Sequence, residues 1–152
     1  MKRILITIAA IIGIAGSNAA LAKDEMMHQG DHHEMHMTDT RISLGLPAQM
    51  KQHQLSNMRE HVEAIKSIVA LMSEKKFKEA SGIAHAKLGL TADMQAMCNM
   101  FDNKDFKALG TAFHKSGDDL GDALKTGDVN VSLRALYKTM QYCVECHATY
   151  RQ

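Results

Sequence analysis

The chain of 152 residues has no tryptophan, only one proline, Pro47, and an aromatic content of 5%. Because proline interrupts helices, this composition favours a chain made almost wholly of helices. A strong charge of one sign is also absent, since 18 basic and 17 acidic residues leave a formal net charge of +1. The balance gives no sign of nucleic-acid binding.

The first 22 residues have the pattern of a secretory signal peptide. Lys2 and Arg3 form a basic start, residues 4–14 form an apolar core, and Ala20-Leu21-Ala22 matches an A-x-A cleavage site. Cleavage near Ala22 is therefore predicted, and an uncleaved anchor is the alternative. No later stretch is apolar enough to cross a bilayer, so we expect a soluble, exported product.

Residues 23–45 are predicted to be a disordered leader, because they show no apolar periodicity. The segment is rich in histidine and methionine, whose imidazole and thioether groups suit copper, while imidazoles also suit zinc. A weak metal site and a merely polar leader are both open interpretations. The candidate ligands are His28, His32, His33, Met35, His36 and Met37.

Residues 46–152 form one predicted domain in which apolar residues recur every three or four positions along four stretches. A fifth, shorter helix is expected within one of the connections. This pattern predicts an all-α fold, an antiparallel four-helix bundle. The predicted helices are Pro47–Met72, Glu74–Leu88, the short Ala92–Met100, Lys104–Thr126 and a last one capped by Asp128.

The sequence Cys143-Val144-Glu145-Cys146-His147 spells C-x-x-C-H, the attachment signature of a c-type haem. On a helix both thiols and the imidazole lie within about one turn, so they can supply two thioether bonds and one axial iron ligand. Zinc would need further ligands, and the third cysteine, Cys98, has no C-x-x-C partner. Thiol redox motifs usually follow a strand, and no strand pattern precedes this one. Cys98 itself is expected to be buried, an intermolecular disulfide being the alternative.

The apolar stripes of the first and last helices are predicted to face the core. The first consists of Leu55, Met58, Val62, Ile65, Val69 and Met72. The last consists of Leu133, Leu136, Met140, Cys143, His147 and Tyr150. Because the motif falls within the second stripe, the covalently attached haem c is expected inside the bundle. Covalent attachment of haem takes place outside the bacterial cytoplasm, which agrees with the export signal and points to a periplasm.

A terminal C-x-x-C-H-x-x-Y-R, here ending at Tyr150 and Arg151, resembles the class II c-type cytochromes, the cytochrome c prime family. The resemblance covers about residues 46–152 and includes Phe77 and Phe106. It departs from the family at Gln54, where an arginine often stands, so a propionate contact by that arginine is not expected here.

The resemblance implies a haem protein whose function depends on the sixth iron ligand. Counting back from Phe77 to the family's distal position gives Met58, and a methionine there is typical of low-spin electron carriers that serve redox partner proteins, without enzymatic activity. The alternatives are a five-coordinate protein that binds NO or CO, a bis-histidine site using His61, ligation by Met50, and a copper-responsive haem protein. His53, His85 and His114 are the remaining histidines of the domain, and none has a spacing that requires a metal. Family members often form homodimers.

Overall fold

The computed structural model describes residues 38–152, which form a helical bundle with one short pair of strands. A five-residue π-helical turn, Ala84–Leu88, directly continues the second helix. The elements in chain order are β1 (Ile42–Ser43), α1 (Ala48–Ser73), α2 (Phe77–Ile83), α3 (Ala92–Asn99), α4 (Lys104–Lys125), α5 (Val129–Thr149) and β2 (Tyr150–Arg151). The all-α bundle expected from the sequence is confirmed.

Three of the helices begin where a polar side chain accepts a hydrogen bond from the first turn. Thr91 caps α3, Asn103 caps α4 and Asp128 caps α5, each accepting from the backbone N–H three residues later. Pro47 is the residue before α1, where its missing N–H costs nothing. These capping residues explain why the helix starts were predicted closely.

The second helix differs from its predicted range, Glu74–Leu88. It begins only at Phe77, because Lys75 takes a left-handed conformation, with φ of 62°, in the turn after α1. Its last turn is the π-helical turn, which ends before Gly89. The predicted range was therefore wrong at its start and right at its end, Leu88, although the last turn is π-helical instead of α-helical.

The main core lies where α4 packs against α2, the π-helical turn and α5, while α1 packs on α2 and the same turn. Its centre is fully buried and wholly aliphatic: Ile68, Leu88, Leu120 and Leu124. Helices joined by short turns run antiparallel, as α1 with α2 and α4 with α5 do here. The helices α1 and α5 are not among the closely packed pairs.

The close approach of α4 to the π-helical turn depends on a glycine. A Cβ placed on Gly117 would collide with the backbone carbonyl of Leu88. Only glycine lets the two backbones meet at this point.

The predicted inward stripe of α1 is wrong in part. Val62 and Val69 are 67% and 49% exposed, whereas the buried side chains lie on the neighbouring face. They are Gln54, His61, Ala64, Ile68 and Met72. Met72 alone of the predicted stripe is among them, and the small Ala64 lets α1 approach its neighbours closely on this face.

The stripe of α5 is displaced in the same way. Leu133 and Met140 are about half exposed, and His147 is exposed as well, contrary to the prediction. Leu136 and Tyr150 are buried as predicted, but the small polar residues Ser132 and Thr139 are buried as well, and the Thr139 hydroxyl donates to the Ser116 carbonyl of α4 at 3.0 Å. Small side chains with local hydrogen bonds allow α5 to pack tightly on α4. A prediction based on the spacing of large apolar residues does not find such positions.

Residues 38–46 form a strap across the end of α5, within the range assigned to the leader from sequence. Ile42 pairs in parallel with Tyr150, and the Leu44 N–H donates to the Arg151 carbonyl at 3.0 Å. Below the strap lies a second apolar cluster. Its buried members are Phe101, Phe106 and Tyr150, against which Leu44, Leu46, Met50, Met97, Leu109 and Cys146 pack.

None of the helices within residues 38–152 is both long and apolar enough to span a bilayer. The predicted signal peptide and the histidine- and methionine-rich tract lie outside the described residues.

Candidate haem site

A cleft opens between α1 and α5, with α3 and α4 as its inner walls. It holds about 970 Å³ of space free of protein atoms, part of it open to solvent. The cleft occupies the region where α1 and α5 lack close packing, so the helices leave room there for a large flat group.

One wall of the cleft carries the complete C-x-x-C-H motif. Cys143, Cys146 and His147 all line it, together with Tyr142 from the same helix. The last two turns of α5 bring the three side chains to one side of the helix, as the spacing predicted. The motif therefore lies in the wall of a cavity, as a haem attachment site requires.

Burial keeps the two motif cysteines as thiols. It raises the pKa of both, and for Cys146, with added repulsion from Cys143 and Glu145, to about 11. A thioether bond at each of these sulfur atoms would leave no charge at the two partly buried positions.

The facing wall is α1, where Met58 lines the cleft with its apolar neighbours Val62 and Ile65. The structure therefore brings Met58 and His147 to the same cavity from two different helices. Both belong to stripes that the sequence analysis placed in the core, and Cys143 is a further member of the α5 stripe that lines the cleft. An apolar lining with few polar groups is what a porphyrin ring needs.

The inner edge of the cleft is polar and includes His61, which the sequence analysis weighed as an alternative iron ligand. His61 is 8% exposed, and its ring packs against Phe113 and His114 of α4, with ring centroids 4.9 and 5.5 Å away. Burial, with a contribution from His114, lowers the pKa of His61 to about 4. The imidazole is therefore neutral near pH 7. Gln54, on the same face of α1, is also buried and lines the cleft.

His114 is held by a backbone carbonyl. Its Nδ1 lies 2.9 Å from the Leu88 carbonyl oxygen, which can only accept, so Nδ1 carries the proton. Burial also lowers the pKa of His114, and the neutral ring therefore has an unprotonated Nε2. Its place in the cleft had no sequence signal, because α4 has no motif at this position.

Methionines of α3 also reach the cleft. Met94 and Met97 line it, and the Asn57 amide donates to the Met97 sulfur at 2.9 Å. Cys98 lines the same wall and is buried, as expected, with its pKa raised by that burial.

The other residues weighed as iron ligands lie elsewhere. Met50 packs in the cluster under the strap, and His53 is exposed. His85, on the π-helical turn, has its Nδ1 3.0 Å from a carboxylate oxygen of Asp118.

The strap touches the motif from outside. Arg41 donates to the His147 carbonyl at 3.3 Å and forms an ion pair with Asp39, holding the pKa of that carboxyl down to about 2. The backbone that carries His147 is thus tied to β1.

An all-α bundle with C-x-x-C-H closing its last helix, beside an apolar cleft, defines the class of helical haem c proteins. The family model described as Cytochrome C′ matches residues 29–151, and the chain belongs to this family. The resemblance noted in the sequence is confirmed. Comparison with curated proteins and with solved structures gave no significant match.

Membership of the family implies a covalently bound haem c and a protein of the electron-carrying class. The residues present fit that group, since Cys143, Cys146 and His147 line one wall of the cleft, where the two thiols would hold the haem and the imidazole would ligate its iron. When bound, the haem supplies a one-electron couple between ferric and ferrous iron. The protein supplies the apolar cleft and the buried neutral imidazoles around it.

Proposed function

We propose that the protein carries single electrons between redox partner proteins, with a low-spin haem iron ligated by His147 and Met58. The observation that supports this is the position of the two side chains, on α5 and α1, in the walls of one cleft. A thioether is a soft, neutral ligand that favours ferrous iron and raises the potential of a histidine-ligated haem. Such a closed site suits reversible electron transfer.

The cleft contributes to this function by limiting water access to the iron. On α1 the apolar Met58, Val62 and Ile65 line it, and the buried imidazoles of His61 and His114 are neutral near pH 7. No charge at these two positions then opposes the positive ferric iron. An apolar, pre-formed environment needs little rearrangement when the iron changes charge.

The test is the visible spectrum of the matured protein, ferric and ferrous, with and without carbon monoxide. We expect a low-spin spectrum with the weak ferric charge-transfer band of methionine ligation, and loss of that band in Met58→Ala. Met50→Ala is a matched control, because Met50 lies on the same helix but packs outside the cleft. A high-spin spectrum in the unaltered protein, with ready CO binding, would instead place it among five-coordinate gas-binding members.

We also infer export to a periplasm, where the haem would be attached. The basis is the predicted signal peptide together with the C-x-x-C-H motif. Amino-terminal sequencing of the haem-loaded protein should find a start near Lys23. A start at Met1 in a membrane fraction would support an uncleaved anchor.

A further inference from the structure

The buried imidazole of His61 lines the cleft with no hydrogen bond acting on it from the described residues. Its side chain is more than nine-tenths buried, and a polar group so placed normally has a partner. Phe113 and His114 of α4 pack against the ring, and the cleft borders the rest of it.

His61 and Met58 are one helical turn apart on α1. Three residues correspond to a rise of about 4.5 Å and a rotation of about 60° around the helix axis. Met58 belongs to the face turned toward α5, and His61 to the face packed on α4. Both side chains line the same cleft as His147.

His114 provides the support that a histidine ligand needs. Because its Nδ1–H is committed to the Leu88 carbonyl, it offers only an acceptor, Nε2, to its neighbours. The His61 ring lies edge-on, 5.5 Å away between centroids, and carries one N–H when neutral. If His61 directs this N–H at the Nε2 of His114, its other ring nitrogen keeps a lone pair that faces the cleft. Histidines that bind metals usually donate their second ring N–H in this way.

We propose that His61, supported by His114, is a reserve ligand that takes the sixth position on the iron whenever Met58 leaves it. The exchange breaks the iron–sulfur bond and forms an iron–nitrogen bond, without transfer of an electron. The proton of His61 remains on the nitrogen that faces His114. Imidazole is a harder ligand than a thioether, so ferric iron favours the exchange more than ferrous iron does.

This proposal rests on Met58 being the resting ligand, and one set of haem-loaded variants separates the two claims. Loss of the methionine charge-transfer band in Met58→Ala tests the proposed function alone. The spin state of that same variant tests His61. We expect ferric Met58→Ala to stay low-spin, with a bis-histidine spectrum and a lower midpoint potential.

Further variants assign the new ligand. Met58→Ala/His61→Gln should become high-spin and bind CO readily, whereas Met58→Ala/His53→Gln should remain low-spin, because His53 is an exposed histidine of the same helix. Far-UV circular dichroism checks that each variant is folded. Met58→Ala leaves the buried His61 in place, so the spin state of this single variant decides the outcome even where a double variant fails to fold.

Two results would overturn the proposal. One is a high-spin, five-coordinate Met58→Ala protein. The other is a low-spin Met58→Ala protein that keeps a methionine band, which would assign the ligand to Met94 or Met97 of α3. A bis-histidine spectrum already present in the unaltered protein, and lost in His61→Gln, would reject Met58 as the resting ligand while supporting ligation by His61.

Discussion

The two ends of the bundle are filled in different ways. In the closed half, around Ile68, Leu88 and Leu120, aliphatic side chains meet with no exposure at all. In the cleft half, around Met58 and the C-x-x-C-H motif, the inner space is left open and lined by both apolar and neutral polar groups.

One helix, α1, takes part in both kinds of packing. The buried face of α1 runs from Gln54 and His61 in the cleft half to Ile68 and Met72 in the closed half. Aliphatic packing stabilises the closed half by itself, at about 25 cal/mol per Å² of apolar surface buried. The cleft half has buried polar side chains and exposed apolar ones. A bound group would contact the polar side chains and cover the apolar ones.

The largest expected effect is loss of the cofactor from the cleft half. Cys143→Ala/Cys146→Ala removes both thioether bonds, so we expect no haem to stay attached after denaturation. Haem staining of a denaturing gel measures this. Cys98→Ala, which alters a buried thiol of the same cleft outside the motif, should keep its haem. Loss of haem there as well would mean that the motif is not the attachment site.

The closed half should be most sensitive to added volume. Gly117→Ala drives a methyl group into the Leu88 backbone, and we expect a loss of about 3 kcal/mol in the free energy of unfolding, the upper end for overpacking. Gly82→Ala, on α2 with open space around it, should be neutral or stabilising by up to about 1 kcal/mol. Chemical denaturation of both variants measures the difference. Equal effects would show that α4 and the π-helical turn are less tightly packed.

The contribution of the cleft half to the free energy of unfolding should depend on pH, whereas that of the closed half should not. The folded pKa of His61, about 4, lies below its unfolded value of 6.5, so the unfolded chain binds more protons between those values. Stability is therefore complete above about pH 6.5 and falls as the pH is lowered toward 4, by roughly 2 to 3 kcal/mol.

Denaturation of the haem-loaded protein at pH 7 and pH 4.5, with His61→Phe as the comparison, measures this effect. The variant should lose less stability on acidification than the unaltered protein. An equal loss in both would assign the pH dependence to other groups, among them His114, whose pKa burial also lowers.

The smallest effect is expected at the strap. Arg41→Ala removes exposed interactions with Asp39 and with the His147 carbonyl, and surface contacts of this kind contribute little to stability. We expect faster hydrogen exchange at the Leu44 amide, which donates to Arg151, with little change in global unfolding. Lys66→Ala, which breaks an exposed ion pair on α1 far along the chain from the strap, is the control. Unchanged exchange would mean that the β1–β2 pairing does not need Arg41.

The parts of the structure that the sequence predicted are those with a local cause. Thr91, Asn103 and Asp128 cap the helices they precede, and C-x-x-C-H marks the wall of the cleft. Predictions that depended on which apolar face lies inward were less successful. Leu133 and Met140 were assigned to the core, but Ser132 and Thr139 occupy it.

Cofactor chemistry, helix positions and family were determined by the sequence itself, because each depends on residues close together in the chain: caps, periodic runs and a five-residue motif. Three features were decided only by the tertiary structure. These are the rotation of α1 and α5 that brings Met58 and His147 to one cleft, the neutral His61–His114 pair, and the strap from β1 to β2. The physical reason is that each depends on how closely two distant backbones approach. Small residues and single hydrogen bonds set that distance, and neither leaves a periodic pattern in the sequence.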